Sequence, residues 1–186
     1  MKNIIVTGGS GFIGSNFVKK IVNYNFNVIN IDKLTYASNN KYLEQIKNKK
    51  NYFFYKKNIM DTKSIIEILR KHPPLYLFNF AAESHVDNSI NEPAKFLKTN
   101  IFGTYSLLNS VAHIKNKLEK KFKFIQISTD EVFGDVIKNS EGSLENDFYN
   151  PSSPYSASKA SADHLVTAWG KTFNIPYNIT YSCNNY

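Results

Sequence analysis

The stretch Thr7-Gly8-Gly9-Ser10-Gly11-Phe12-Ile13-Gly14 decides how this chain is read. It follows a short β-branched run, Lys2 to Val6. It precedes Phe12, Ile13, Phe17, Ile21 and Val22 at helical spacing, which predicts a helix over 12–23. Two patterns overlap in it, Gly9-x-Gly11-x-x-Gly14 and Gly8-x-x-Gly11-x-x-Gly14. Glycines between a strand and a helix permit a tight turn and let the backbone approach a pyrophosphate. The helix start then offers unpaired N–H groups and the positive end of its dipole. The next predicted strand, Phe26 to Ile31, runs into Asp32. A carboxylate there accepts from both ribose hydroxyls and repels a 2′-phosphate. The expected cofactor is therefore NAD, on Gly8, Gly11, Gly14 and Asp32. Lys33 is a small argument for NADP.

Working outward, strand and helix patterns keep alternating. Residues 40–49 read as a polar helix and Tyr52 to Tyr55 as a strand. Asp61 is a candidate N-cap for a helix to Lys71, and Leu75 to Phe80 is a strand. Pro93 opens a long helix to His113, and Phe122 to Ile127 is a strand. Pro154 opens a helix to Phe173, before a last strand, Tyr177 to Tyr181. Six strands with intervening helices predict an α/β fold: a Rossmann-like, doubly wound parallel sheet with helices on both faces. No linker or repeat divides residues 1–186, so one domain is expected. The irregular stretch 134–153 reads as a functional surface loop.

The chain has 186 residues, 42% of them hydrophobic and 20% charged, enough apolar material for a real core. Its single cysteine excludes an internal disulfide and a zinc cage, and no metal site is expected. No apolar run approaches the ~18 residues of a membrane span, and the N-terminus does not read as a signal peptide. A cytoplasmic protein is the default expectation. The formal net charge is +8, carried almost wholly by lysine, with Arg70 the one arginine. Base reading favours arginine forks, so composition bias is preferred to a nucleic-acid partner.

Chemistry-bearing residues fall after the later strands. Tyr155-Ser156-Ala157-Ser158-Lys159 places Tyr and Lys four apart, on one helix face. The lysine charge is expected to lower the phenol pKa, and the ammonium to reach a ribose hydroxyl. The phenolate then takes a proton from a substrate alcohol while hydride leaves. Tyr52 and Lys56 share the spacing but fall in a predicted strand, ~13 Å apart by its rise. The fifth strand runs into Ser128-Thr129-Asp130-Glu131. Ser128 and Thr129 are candidates for a sugar hydroxyl. The adjacent acids are candidates for general acid and general base, provided their surroundings separate their pKa values. After the fourth strand, Ala81 and Ala82 allow close backbone approach to the cofactor. His85 is a candidate substrate contact, with loop organisation the equal alternative.

On the glycine run and on Asp32-Lys33-Leu34-Thr35-Tyr36-Ala37, Ala81-Ala82-Glu83-Ser84-His85-Val86-Asp87, Ser128-Thr129-Asp130-Glu131-Val132 and Pro151-Ser152-Ser153-Pro154-Tyr155-Ser156-Ala157-Ser158-Lys159-Ala160, the chain resembles the N-terminal part of the extended short-chain dehydrogenases/reductases. Within that family it is similar to the dTDP-glucose 4,6-dehydratases, the Asp130-Glu131 pair being the specific match. The resemblance implies a lyase that dehydrates a nucleotide sugar through transient hydride transfer to bound NAD, for deoxysugar and surface polysaccharide synthesis. It implies that Tyr155, helped by Lys159 and Thr129, deprotonates the C4 hydroxyl. Glu131 then removes the C5 proton, and Asp130 protonates the departing C6 hydroxyl. It implies cofactor contacts at Phe12, Ile13, Asp32, Lys33, Leu34, Thr35, Ile59, Ala81, Thr99 and Asn185, and a substrate contact at Asn184. It also implies a homodimer through the helices 94–113 and 154–173.

There are departures. Asn58 stands where the family usually has an Asp near adenine, so weaker cofactor binding is expected. Phe133 replaces a usual Tyr, and Asn88 a usual basic residue. Family members continue past Asn184-Asn185-Tyr186 into a substrate domain, expected to be absent from this chain. Two other readings stay open. One is a nucleotide-sugar epimerase or decarboxylase of the same fold, and the other a non-catalytic NAD-binding remnant.

Overall fold

The computed structural model describes residues 1–135 and 142–185, with Asn40 described by its backbone alone. Among them, six strands form one parallel sheet: β1 (Lys2–Thr7), β2 (Phe26–Asp32), β3 (Tyr52–Lys56), β4 (Pro74–Asn79), β5 (Lys123–Ile127) and β6 (Tyr177–Thr180). Their order is β3-β2-β1-β4-β5-β6, and every neighbouring pair is parallel. The order reverses beside β1, between β1 and β4. Two loops leave in opposite directions there and open a crevice beyond the strand ends.

Alternation along the strands builds two cores. Ile5, Ile29, Leu77 and Phe124 are register partners and share one face. They pack there with residues of α2 (Thr62–Lys71), α5 (Gly103–His113) and α6 (Pro154–Phe173). Ile4, Val6 and Val28 point the other way, onto Val18 and Val22 around α1 (Phe12–Ile21) and onto Leu43 and Ile46. Each such Ile or Leu, fully buried, contributes about 1.5–3 kcal/mol relative to exposure.

Helix ends follow their chemistry. Asp61 caps α2, accepting from the Ser64 N–H at 3.1 Å. Ser153 and Ser156 form a reciprocal capping box at α6, with Pro154 in its first turn. Two sequence expectations are corrected. The polar segment expected as an α-helix is a 3₁₀ helix over Asn40–Ile46. The expected uninterrupted helix over 94–113 is α4 (Pro93–Phe96), a π-helical stretch (Leu97–Phe102) and α5. A further helix, α3 (Val86–Asn91), and a 3₁₀ turn over Asp130–Phe133 come from segments in which no helix was expected. Part of the expected functional loop, 136–141, lies outside the described residues. Beyond it the chain is pinned back by the Asn150 N–H on the Val132 carbonyl at 3.0 Å.

Polar residues at the strand ends form a buried layer. The Thr7 hydroxyl donates to Asn79 Oδ1 at 2.6 Å, and Asn79 Nδ2 donates to Gln126 Oε1 at 2.9 Å. Three neighbouring strands are thereby tied in register directly beneath the crevice. Such a network is rigid when its groups are paired and costly when they are not.

Candidate active site

A cleft of about 580 Å³ opens over the ends of β1, β2, β4 and β5. Its floor at β1 is the glycine turn. Gly8 has φ +69°, and a Cβ there would stand 2.6 Å from the Ala81 nitrogen. A Cβ on Gly14 would stand 2.3 Å from the Gly8 carbonyl oxygen. Gly11 is the N-cap of α1 and makes no side-chain cap, so the first-turn N–H groups keep their capacity to bind an anion. With Phe12, Ile13, Ala81 and Ala82 also on the wall, this backbone cradle fits a dinucleotide pyrophosphate.

Asp32 is buried at the end of β2. Its Oδ2 accepts from the Ser10 N–H at 2.9 Å, and its Oδ1 from the Leu34 N–H at 2.8 Å and the Ser38 hydroxyl at 3.1 Å. A carboxylate has about four acceptor positions, so the bonds that orient Asp32 leave room for a ribose hydroxyl. Leu34 was an expected cofactor contact but does not line the cleft. With φ +59° it is turned so that its N–H serves Asp32. Lys33 also lines the cleft, and its ammonium is engaged there: its Nζ lies 3.4 Å from Glu83 and 3.5 Å from the Thr99 hydroxyl. The argument it made for NADP is answered by that buried acid. Thr35, Asn58, Ile59 and Thr99 line the same half.

The other half gathers Thr129, Glu131, Tyr155 and Lys159, with His85, Asn184 and Asn185 around them. Tyr155 and Lys159 are buried on one face of α6, as the spacing predicted. Their electrostatics differ from expectation. Burial pushes the Tyr155 phenol up to about 12, the Glu131 charge pushes the same way, and the Thr129 hydroxyl pulls back. The Lys159 ammonium was expected to lower it. That ammonium is itself buried, donates to the Ile127 carbonyl, and is depressed by desolvation. Burial, then Asp130 and Asp135, raise the Glu131 carboxyl. Asp130 does not line the cleft; it is exposed, accepting from the Thr129 hydroxyl at 3.2 Å. Ser128, a candidate for a sugar hydroxyl, instead donates its hydroxyl to Asp163.

Sequence reasoning missed two residues that shape the site. Glu83 is buried between Lys33, Lys95 (3.8 Å) and the Tyr36 hydroxyl (3.3 Å). Asn100, in the π-helical stretch, holds the Glu83 N–H and carbonyl at 2.8 and 3.0 Å and reaches the Ser158 hydroxyl at 2.8 Å. It thus locks the exit of β4 to the helix bearing Tyr155. Buried polar residues that contact backbone carry no periodic signal.

A parallel sheet of this order, with a glycine cradle at its reversal point and a Tyr/Lys helix facing it, defines a Rossmann-type protein of the short-chain dehydrogenase/reductase kind. The family model described as GDP-mannose 4,6 dehydratase matches residues 5–186, and the chain belongs to that family. It is 48% identical over 191 residues to a dTDP-glucose 4,6-dehydratase of Haemophilus influenzae, covering 100% of this chain and 56% of that protein. The chain thus spans a little over half the length of the curated relatives it matches. A crystal structure of the dTDP-glucose 4,6-dehydratase of Bacillus anthracis in complex with NAD superposes with TM-score 0.86 at 37% identity, over 100% of this chain and 56% of that one. A UDP-glucose 4-epimerase of Brucella ovis in complex with NAD follows at TM-score 0.85 and 25% identity, over 99% and 52%.

Proposed function

We propose that this chain carries the NAD-binding and catalytic part of a dTDP-glucose 4,6-dehydratase. The observation that carries the reading is the meeting of Glu131 and Tyr155 at the end of a cleft that begins at the glycine cradle and Asp32. An epimerase needs the phenol and the cofactor; it does not need a carboxyl poised to take a carbon-bound proton. NAD held in the cradle supplies a reversible hydride acceptor.

In this reading Tyr155 takes the C4 hydroxyl proton, with the Thr129 hydroxyl favouring its ionised form. The C4 ketone acidifies the C5 hydrogen, which Glu131 removes; burial raises its carboxyl and so makes it a stronger base than an ordinary glutamate. Asp130, exposed beside Thr129, delivers a proton to the leaving C6 hydroxyl by turning its side chain toward the cleft. His85 and Asn184 bind sugar, and Asn185 binds cofactor. Contacts to the nucleotide base and diphosphate fall in the part of the relatives that this chain does not match.

A homodimer and a cytoplasmic location belong to the same proposal. Phe102 and Tyr105, on the helical run 93–113, are exposed, and the Tyr105 ring meets Trp169 of α6 at 5.6 Å. Among the described residues no helix is long and apolar enough to cross a membrane. The test is incubation with dTDP-glucose and NAD. A 4-keto-6-deoxy product is expected, and a C4 epimer as the main product rejects the reading.

A further inference from the structure

Lys159 and Asp163 stand one turn apart on α6, and both are buried, at 5% and 1% exposure. An ammonium carries three donors, yet the one hydrogen bond of Lys159 among the described residues goes to a neutral carbonyl, that of Ile127. Asp163 is equally exceptional. Its Oδ2 accepts from the Ser128 hydroxyl and from the Tyr149 hydroxyl at 3.3 Å, while its buried Oδ1 has no partner among the described residues. Ser128 directly follows Ile127, so one strand end holds both charges. Nothing in the reaction outlined above uses Asp163.

We propose that Asp163, held in place by Ser128 and Tyr149, is a positioning residue that supplies the countercharge for the buried Lys159 ammonium. An unpaired charge in a dry interior neutralises itself unless an opposite charge is near. Here the two have opposite signs, share one helix face and lie beneath one strand end. Burial lowers Lys159, and Asp163 is the charge that raises it again. Burial lifts Asp163 to about 6, and Lys159 is the first of the groups that bring it down. The other ionisable groups around the pair are Tyr155 and His164 on α6, Tyr149 before it, and Tyr181 after β6. Asp130 and Glu131 act instead on Tyr155. The use made of the ammonium rests on the dehydratase reading; the coupling does not.

The test is an NMR titration of isotope-labelled lysine and aspartate in the full chain, with Lys159→Met and Asp163→Asn also serving to assign the signals. In Asp163→Asn the Lys159 midpoint is expected to fall by about one pH unit or more, and Asp163→Glu to restore it. In Lys159→Met the Asp163 midpoint is expected to rise by a similar amount, because coupling is reciprocal. This second arm decides the matter if Asp163→Asn does not fold. An unmoved midpoint in either folded variant overturns the proposal. Both shifts in a chain that turns over no sugar uphold it while removing the dehydratase reading. Turnover without either shift does the reverse.

Discussion

Asp130 and Glu131 are neighbours in the chain and face different media. Glu131 forms part of the cleft wall that also bears Tyr155, whereas Asp130 is exposed beside the Thr129 hydroxyl. The cause is the 3₁₀ turn over Asp130–Phe133. With about three residues per turn, consecutive side chains diverge by roughly a third of a circle, and of the two Glu131 lines the cleft. The two acids are thereby given the unequal surroundings that distinct proton-transfer roles require.

Glu131→Gln is expected to abolish both sugar dehydration and exchange of the C5 hydrogen with heavy water. Asp130→Asn should keep the exchange and lose dehydration by about 10²–10⁴-fold, the range of a missing general acid. Mass spectrometry of recovered sugar separates the two. Identical losses in both variants would remove the division of roles.

The raised Glu131 carboxyl sets the acid side of the rate profile. A base must be ionised, so turnover should fall at a pH above that expected for an ordinary glutamate. Asp135→Asn leaves the reacting groups intact and removes one like charge, so the acid limb should move down. For stability the sign is opposite to that of a salt-bridged acid. The fold favours protonated Glu131, a contribution complete below the ordinary glutamate value and lost as pH rises through the raised one.

Gly14→Ala should lose NAD binding in calorimetry, because the new Cβ meets the Gly8 carbonyl oxygen. Gly8→Ala should also lower Tm. Its left-handed φ alone costs a residue with a side chain about 1–2 kcal/mol, before the clash with Ala81.

Asn58→Asp should tighten NAD binding, by up to about 1 kcal/mol or roughly fivefold, if the adenine amino group donates there. The Asn58 amide oxygen already accepts from the Met60 N–H at 3.0 Å, and a carboxylate adds a second, charged acceptor. Unchanged affinity would place adenine elsewhere.

The fold was legible because its signals are local and periodic. Alternating strands, the Asp61 cap and the Pro154 start need only neighbouring residues, and helix α6 has the bounds read from the chain. The π-helical stretch was not legible, because the side chains of 93–113 suit an ordinary helix and the wider turn serves Thr99 and Asn100 in tertiary contacts. Leu34 and Asp130 matched family positions by sequence, but backbone turns set which way each side chain faces.

By itself the sequence determined a six-stranded dinucleotide-type sheet, the glycine cradle, Asp32 at the end of β2 and the Tyr155/Lys159 face of α6. These follow from chain spacing, which backbone geometry converts directly into position. Only the tertiary structure decided the charges and their directions: a phenol raised rather than lowered, Lys33 turned to Glu83, and Ser128 committed to Asp163. Desolvation and Coulomb interactions depend on what surrounds a group in space, and those neighbours come from segments far apart in the chain.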